Sequence, residues 1–206
     1  MKLKKNKKGR IIIPDQFDRI KSKDLMTGDI ILFIGGNKLT EWHGRNRQKK
    51  YGRSTKPPYH AAIVLGMCKG MPIILDPELN TTLSPILEYT RKKNLRIDIV
   101  RFQATKNERK IIADTILDIA SKEGFYDWKG FGSFAAQMPY LGWAFKWVKP
   151  SKKDFFCSDA SVYSVHKNTN IKVSPRGHDF TAPVDIQLYA MKHHELYTLK
   201  ISGEIL

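Results

Sequence analysis

Cysteine is scarce in this 206-residue chain. Cys68 and Cys157 are the only two, and no CxxC, HExxH or zinc-finger spacing surrounds them. Two thiols cannot staple a domain of this size, so a disulfide framework is excluded and a reducing compartment fits. No metal centre and no cofactor are expected from such spacings. Long apolar runs are missing as well. The basic start MKLKKNKKGR leads into only Ile11, Ile12 and Ile13 before Pro14 and Asp15, whereas a secretory signal needs ~7–15 apolar residues and a membrane span about 18. On this reading the protein is cytoplasmic as synthesised, with no signal peptide and no transmembrane segment, and it stays there unless a holin, a virion or cell lysis moves it. Internal repeats and Pro/Gly/Ser-rich linkers are also lacking. The chain therefore reads as a basic N-terminal tail, residues 1–20, ahead of a single domain, residues 21–206.

Acidic residues are the other shortage: 20 Asp and Glu stand against 36 Lys and Arg, a net charge of +16. The excess is uneven. Residues 1–10 hold five lysines and one arginine, and HGRNRQKKYGRSTK (43–56) holds six more bases and no acid. Such runs attract polyanions, here an anionic substrate or surface such as a cell-wall polymer or a lipid headgroup. Nucleic acid would be held only non-specifically, because no RNP-like motif is present. The bland alternative is a solvated tail and loop that serve solubility. Hydrophobic residues at 41% and aromatics at 11% are ample for a packed core, which excludes wholesale disorder.

Turn and period signals then divide the chain. DLMTGDIILFIGG (24–36) predicts a turn at Thr27-Gly28 and a strand from Ile30 to Ile34, closed by Gly35-Gly36. YHAAIVLGM (59–67) and MPIILDPEL (71–79) predict a hairpin around Lys69-Gly70, and RIDIVRF (96–102) a further strand. Cys68, at the end of an apolar strand, reads as core. TKNERKIIADTILDIASKEG (105–124) is the clearest helix. Thr105 and Glu108 make a capping-box pair, with Ile111, Ile112, Ile116, Ile119 and Ala120 on one face. A second helix is expected from Asp154 to about Lys167, and a third from Pro183 to about His193. The aromatic stretch from Phe131 to Trp147 is open to three uses: buried core, the wall of an acyl pocket, or contact with a membrane. The class is α+β, an antiparallel sheet packed against segregated helices.

Cys157 falls in the first turn of the second helix, where the macrodipole and free N–H groups favour a thiolate. A buried cysteine used as filler would look the same in sequence. A base decides between them. Of six histidines, His60 begins an apolar strand and is rigidly placed. His166 is nine positions beyond Cys157 on one helix, ~13 Å along its axis, and cannot be its partner. His193 and His194 read as a solvated helix end, while His43 and His178 lie in loops and stay open. Asp76, at the end of the adjoining strand, could approach His60 across the hairpin, with Glu78 in reserve. A Cys–His–acid arrangement follows.

The order GDIILF, YHAAIVLG, IILDP, FFCSDASVYSV resembles the circularly permuted papain-like hydrolases, the YiiX/YebB-like branch of the NlpC-type superfamily. The resemblance spans residues 24–190, and the order His60, Asp76, Cys157 is the permuted one. Phe125-Tyr126-Asp127 resembles the segment that often precedes the cysteine region, and Ala182-Pro183-Val184-Asp185 the start of the closing helix. Tyr59, Asp159 and Asp76 depart from the family's usual small residue, glutamate and glutamate. The resemblance implies a permuted papain-like fold with the nucleophile at a helix N-terminus, catalysis by Cys157, His60 and Asp76, and substrate contact by Tyr59, Phe156, Ser158 and Tyr126. It implies a cysteine hydrolase or acyltransferase acting on an amide or ester through a Cys157 thioester, on a peptidoglycan peptide or a lipid-linked amide. The alternative is a catalytically weak scaffold used for binding or assembly, for example in a phage particle.

Overall fold

Five consecutive apolar residues, Ile30 to Ile34, cannot alternate between core and solvent, so the strand they form must be covered on both faces. It is: all five are buried. The computed structural model describes residues 7, 12–13, 17–35, 44–45, 52–53, 56–77, 81–86, 96–121, 157–175 and 181–200. Within them the strands are β1 (Ile12–Ile13), β2 (Asp18–Lys21), β3 (Ile30–Ile34), β4 (Gly52–Arg53), β5 (Pro58–Cys68), β6 (Met71–Pro77), β7 (Thr81–Pro85), β8 (Arg96–Arg101) and β9 (Glu195–Lys200). The helices are α1 (Lys106–Ser121), α2 (Cys157–His166) and α3 (Pro183–His193), with a 3-10 turn at Ser22–Asp24.

Seven strands form one sheet in the order β2-β9-β8-β3-β5-β6-β7, and β1 pairs with β4 apart from it. The architecture is α+β. It corrects the expected antiparallel sheet at one edge, where β2 lies parallel to β9. Neither strand shows a strong alternating pattern, and each is held by its neighbour and by Ile20 and Leu199 at its buried positions. Asp18–Lys21 thus belongs to the sheet although it falls largely within the stretch read as tail.

The expected turns form where glycine permits them. Lys69 and Gly70 both have positive φ (48° and 79°), the two-residue geometry that matches strand twist and sets Cys68 opposite Met71. Cys68 is exposed rather than core. β5 outruns its cover there, and its last two residues are both open to solvent. Gly28 (φ 88°) lets the chain turn so that its N–H reaches the Val64 carbonyl at 2.8 Å.

The pleat separates two apolar clusters. Ile30, Leu32, Ala61, Ile63, Leu75 and Val100 pack with all three helices. Ile31, Phe33, Ala62, Val64, Ile74, Ile97 and Ile99 form the second cluster on the other face. α1 is held by its predicted capping box, since the Thr105 N–H and hydroxyl reach Glu108 at 2.7 and 2.8 Å. It buries Ile112, Ile116 and Ile119, each contributing about 1.5–3 kcal/mol. Among the described residues no helix is long and apolar enough to cross a membrane.

Candidate active site

The hairpin register brings the first two candidate residues together. Ile63 opposes Leu75 in β5–β6, and continuing that register puts Asp76 across from Ala62, one diagonal step from His60 on the same pleat face. The carboxylate closes that step, with His60 Nε2 2.7 Å from Asp76 Oδ1. Against β3 the register jumps from Phe33↔His60 to Ile34↔Pro58, so Tyr59 is the extra residue of a bulge directly before the histidine. Bulges re-aim the side chains beside them, and Phe33 then backs the imidazole with ring centroids 5.3 Å apart.

Cys157 is the first residue of α2 and is buried. Its sulfur is hydrogen-bonded to the His60 side chain. Asp76 occupies Nε2, which leaves Nδ1 as the nitrogen able to serve the sulfur. Burial pushes the His60 pKa down. The electrostatic pull of Cys157, hydrogen bonds to Asp76 and Cys157, and the charge of Asp76 outweigh that and raise it to about 10. The arrangement is a histidine held between the Asp76 carboxyl group and the Cys157 sulfur. The carboxylate is itself incompletely served, because Asp76 Oδ2 is buried with no hydrogen-bond partner. Such leftover acceptors are rare in native cores and call for an explanation at the site that keeps them.

The remaining candidates are placed as follows. Tyr59 is half-buried, packed on the second apolar cluster, with its ring stacked 6.2 Å from that of His60. Ser158 is fully buried, and its hydroxyl donates to the Thr181 carbonyl. Thr181 in turn shares a 3.1 Å hydroxyl contact with Ser174. Ser158 thus ties the first turn of α2 to the approach to α3 and does not line an open surface. Phe156, Tyr126 and the reserve acid Glu78 lie outside the described residues, as do His43 and His178. His166 accepts the Val173 N–H at 3.1 Å. His194, read as solvated, is half-buried with Nε2 2.7 Å from the Lys172 carbonyl, and burial lowers its pKa.

Sequence reasoning had no signal for Phe33 as the backing of the imidazole, since it reads as one apolar strand residue among five. Nor did it give Asp29 of GDIILF a task. Asp29 accepts from the Met26 N–H at 2.9 Å and pairs with Arg101 at 2.5 Å, which pins the turn in front of β3. A cavity of about 670 Å³, lined by Lys172, Tyr189, His193 and His194 among others, lies beyond the C-terminal end of α2, the end away from Cys157. Among the described residues no group of three or more His, Cys, Asp or Glu is placed to hold a metal ion.

No family model and no curated protein matches the chain. A solved structure similar to it is the crystal structure of metalloprotein yiiX from Escherichia coli O157:H7, at 15% identity and a TM-score of 0.48, with 72% of this chain and 69% of that one covered. A likeness of that depth assigns no chemistry to this chain.

Proposed function

We propose that this protein is a cysteine hydrolase or acyltransferase of permuted papain-like design, acting on an amide or ester. The single observation that carries the reading is His60 held between Asp76 and the Cys157 sulfur. A filler cysteine needs no charged neighbour. A sulfur at a helix start beside a histidine is placed for activation as a nucleophile.

In the proposed cycle the thiolate attacks the substrate carbonyl carbon, forming the C–S bond as the C=O pair moves onto oxygen. The Cys157 backbone N–H, unpaired within the helix at its first residue, is a donor for that oxyanion. The His60 imidazolium gives its proton to the leaving amine or alkoxide as the C–N or C–O bond breaks, leaving a Cys157 thioester. Neutral His60 then takes a proton from water, or from an acceptor amine or alcohol. The oxygen or nitrogen so freed displaces the sulfur, and the ion pair is restored. Asp76 holds the imidazole orientation throughout and stabilises its charged form. A peptidoglycan peptide or a lipid-linked amide is the substrate that the family resemblance in the sequence implies.

Labelling by a thiol electrophile at neutral pH tests the reading. Cys157 is expected to react at least tenfold faster than a free peptide cysteine, and a mass-spectrometric adduct is expected on that sulfur after incubation with activated esters. Equal rates, with Cys68 labelled as fast as Cys157, would leave a binding or assembly scaffold as the better description.

A further inference from the structure

We propose that a buried water joins Asp76 Oδ2 to the Ser84 hydroxyl, and that Ser84 is thereby a positioning residue for the Asp76–His60 pair. The water is argued from packing alone, whereas the positioning role rests on the enzymatic reading above. Two polar atoms motivate it. Asp76 Oδ2 and Ser84 Oγ are both shut off from solvent, and among the described residues neither has a hydrogen-bond partner. A buried polar atom left in that state is costly, and ordered water is a common way of meeting the need.

The sheet register brings the two atoms into one neighbourhood. In β6–β7, Asp76 stands opposite Thr82 and Ile74 stands opposite Ser84. Residues opposite each other, and those two apart along a strand, share a pleat face. Asp76, Thr82 and Ser84 therefore lie on one face with Ile74, which belongs to the second apolar cluster together with Phe33. Ser84 is the diagonal neighbour of Asp76, ~7–8 Å away between Cα atoms and less between Cβ atoms. Two short side chains and one water fill such a span. Asp76 Oδ1 already faces His60 Nε2 at 2.7 Å, so Oδ2 is the oxygen left for β7. Thr82, directly opposite and exposed, offers a second hydroxyl at the outer edge of the same space.

Water fits the chemistry of these atoms. A carboxylate oxygen can only accept, while a hydroxyl can accept or donate. One water donates to Oδ2 and spends its other hydrogen and its lone pairs on the hydroxyls, within the roughly two to four partners that buried waters take. A metal ion is a poorer occupant, because one carboxylate oxygen and two hydroxyls are a thin ligand set. Any cation there would also compete with protonated His60 for the Asp76 charge. A water donor instead favours ionised Asp76 and fixes the plane of its carboxylate, so that Oδ1 stays aimed at Nε2. Immobilising the water leaves an entropic cost at the site.

A crystal structure of the full chain tests the water, and a double-mutant cycle tests the role of Ser84. Density is expected for one water within hydrogen-bond distance of both Asp76 Oδ2 and Ser84 Oγ. Ser84→Ala should lower kcat/KM for a small ester by about two- to tenfold, the worth of one hydrogen bond. In an Asp76→Ala background the same substitution should cost nothing further, whereas a purely structural defect would appear in both backgrounds. Calorimetry checks that each variant is folded. A dry gap at Oδ2, a protein donor in place of the water, or an equal loss with and without Asp76 would overturn the proposal. Absence of ester turnover in the unsubstituted protein, with the water present, would strike the enzymatic reading and the role of Ser84 in it, and leave the water standing.

Discussion

Two buried carboxylates, both facing cations, are treated in opposite ways by this fold. Asp98, in the middle of β8, is fully enclosed and served on both oxygens. Arg96 reaches them at 2.8 Å twice, Thr198 donates at 3.2 Å and Gln187 at 3.4 Å. Asp76 is equally enclosed yet, among the described residues, has one hydrogen-bond partner, His60, and an idle Oδ2. Burial pushes the Asp98 pKa up against the pull of Arg96, and four bonds hold it in place regardless. A carboxylate that ties β8 to β9 and α3 is saturated, because any lost bond costs stability. Asp76, which in the proposed function orients His60, is left under-served, and the scaffold carries the cost. Under the proposed function, this difference separates the structural acid from the one that serves the site.

The largest effect that sharpens this contrast is expected from Cys157→Ala. Turnover should fall by about three orders of magnitude or more, as measured by ester hydrolysis on a preparation that calorimetry shows to be folded. Asp76→Asn comes next. The amide keeps the contact to Nε2 but sets an N–H donor at the idle Oδ2 position and removes the charge, so kcat/KM should drop about a hundredfold or more. Its alkaline limb should move to lower pH, because a support of the imidazolium is gone. A limb that stays put would show that Asp76 does not set the His60 proton affinity.

Asp98→Ala should do the reverse, costing about 3–5 kcal/mol of stability through the four hydrogen bonds lost at a buried site. Activity per folded molecule would be retained, which denaturant titration beside active-site counting can check. A smaller effect is expected from pH. His60 titrates higher in the folded state, about 10 against an ordinary 6.5. The stability its charged form contributes is therefore fully present below about 6.5 and lost as pH rises through about 10. Urea midpoints should decline across that window, and Cys157→Ala should flatten the decline. Thr105→Ala, remote from both acids, sets the lower end of the scale at about 1 kcal/mol through its lost cap, with no change in rate.

Much of the frame was legible because local patterns carried it. The run Ile30–Ile34, the Lys69-Gly70 turn, the Thr105–Glu108 cap and the Pro183 helix start each have a physical reason within a few residues. What escaped was non-local. β2 and β9 are mutual partners with weak patterns of their own, and β7 is a strand because β6 offers its edge. Cys68 is exposed because β5 runs past its neighbours. At the candidate site, His60 and Asp76 were legible as residues of the right kind on adjoining strands. The Tyr59 bulge, the Phe33 backing and the buried role of Ser158 were not, since register and packing across 23 or more positions decide them.

The sequence by itself determined which chemistry is on offer: one cysteine at a helix start, a histidine at a strand start, an acid on the neighbouring strand and two basic runs without acids. Tertiary structure alone decided that imidazole, carboxylate and sulfur meet, and that one carboxylate is saturated and the other left wanting. Residue type and period are local properties written along the chain. Distance between side chains is fixed only when strands choose partners and helices cover them, and that choice minimises the free energy of the whole fold.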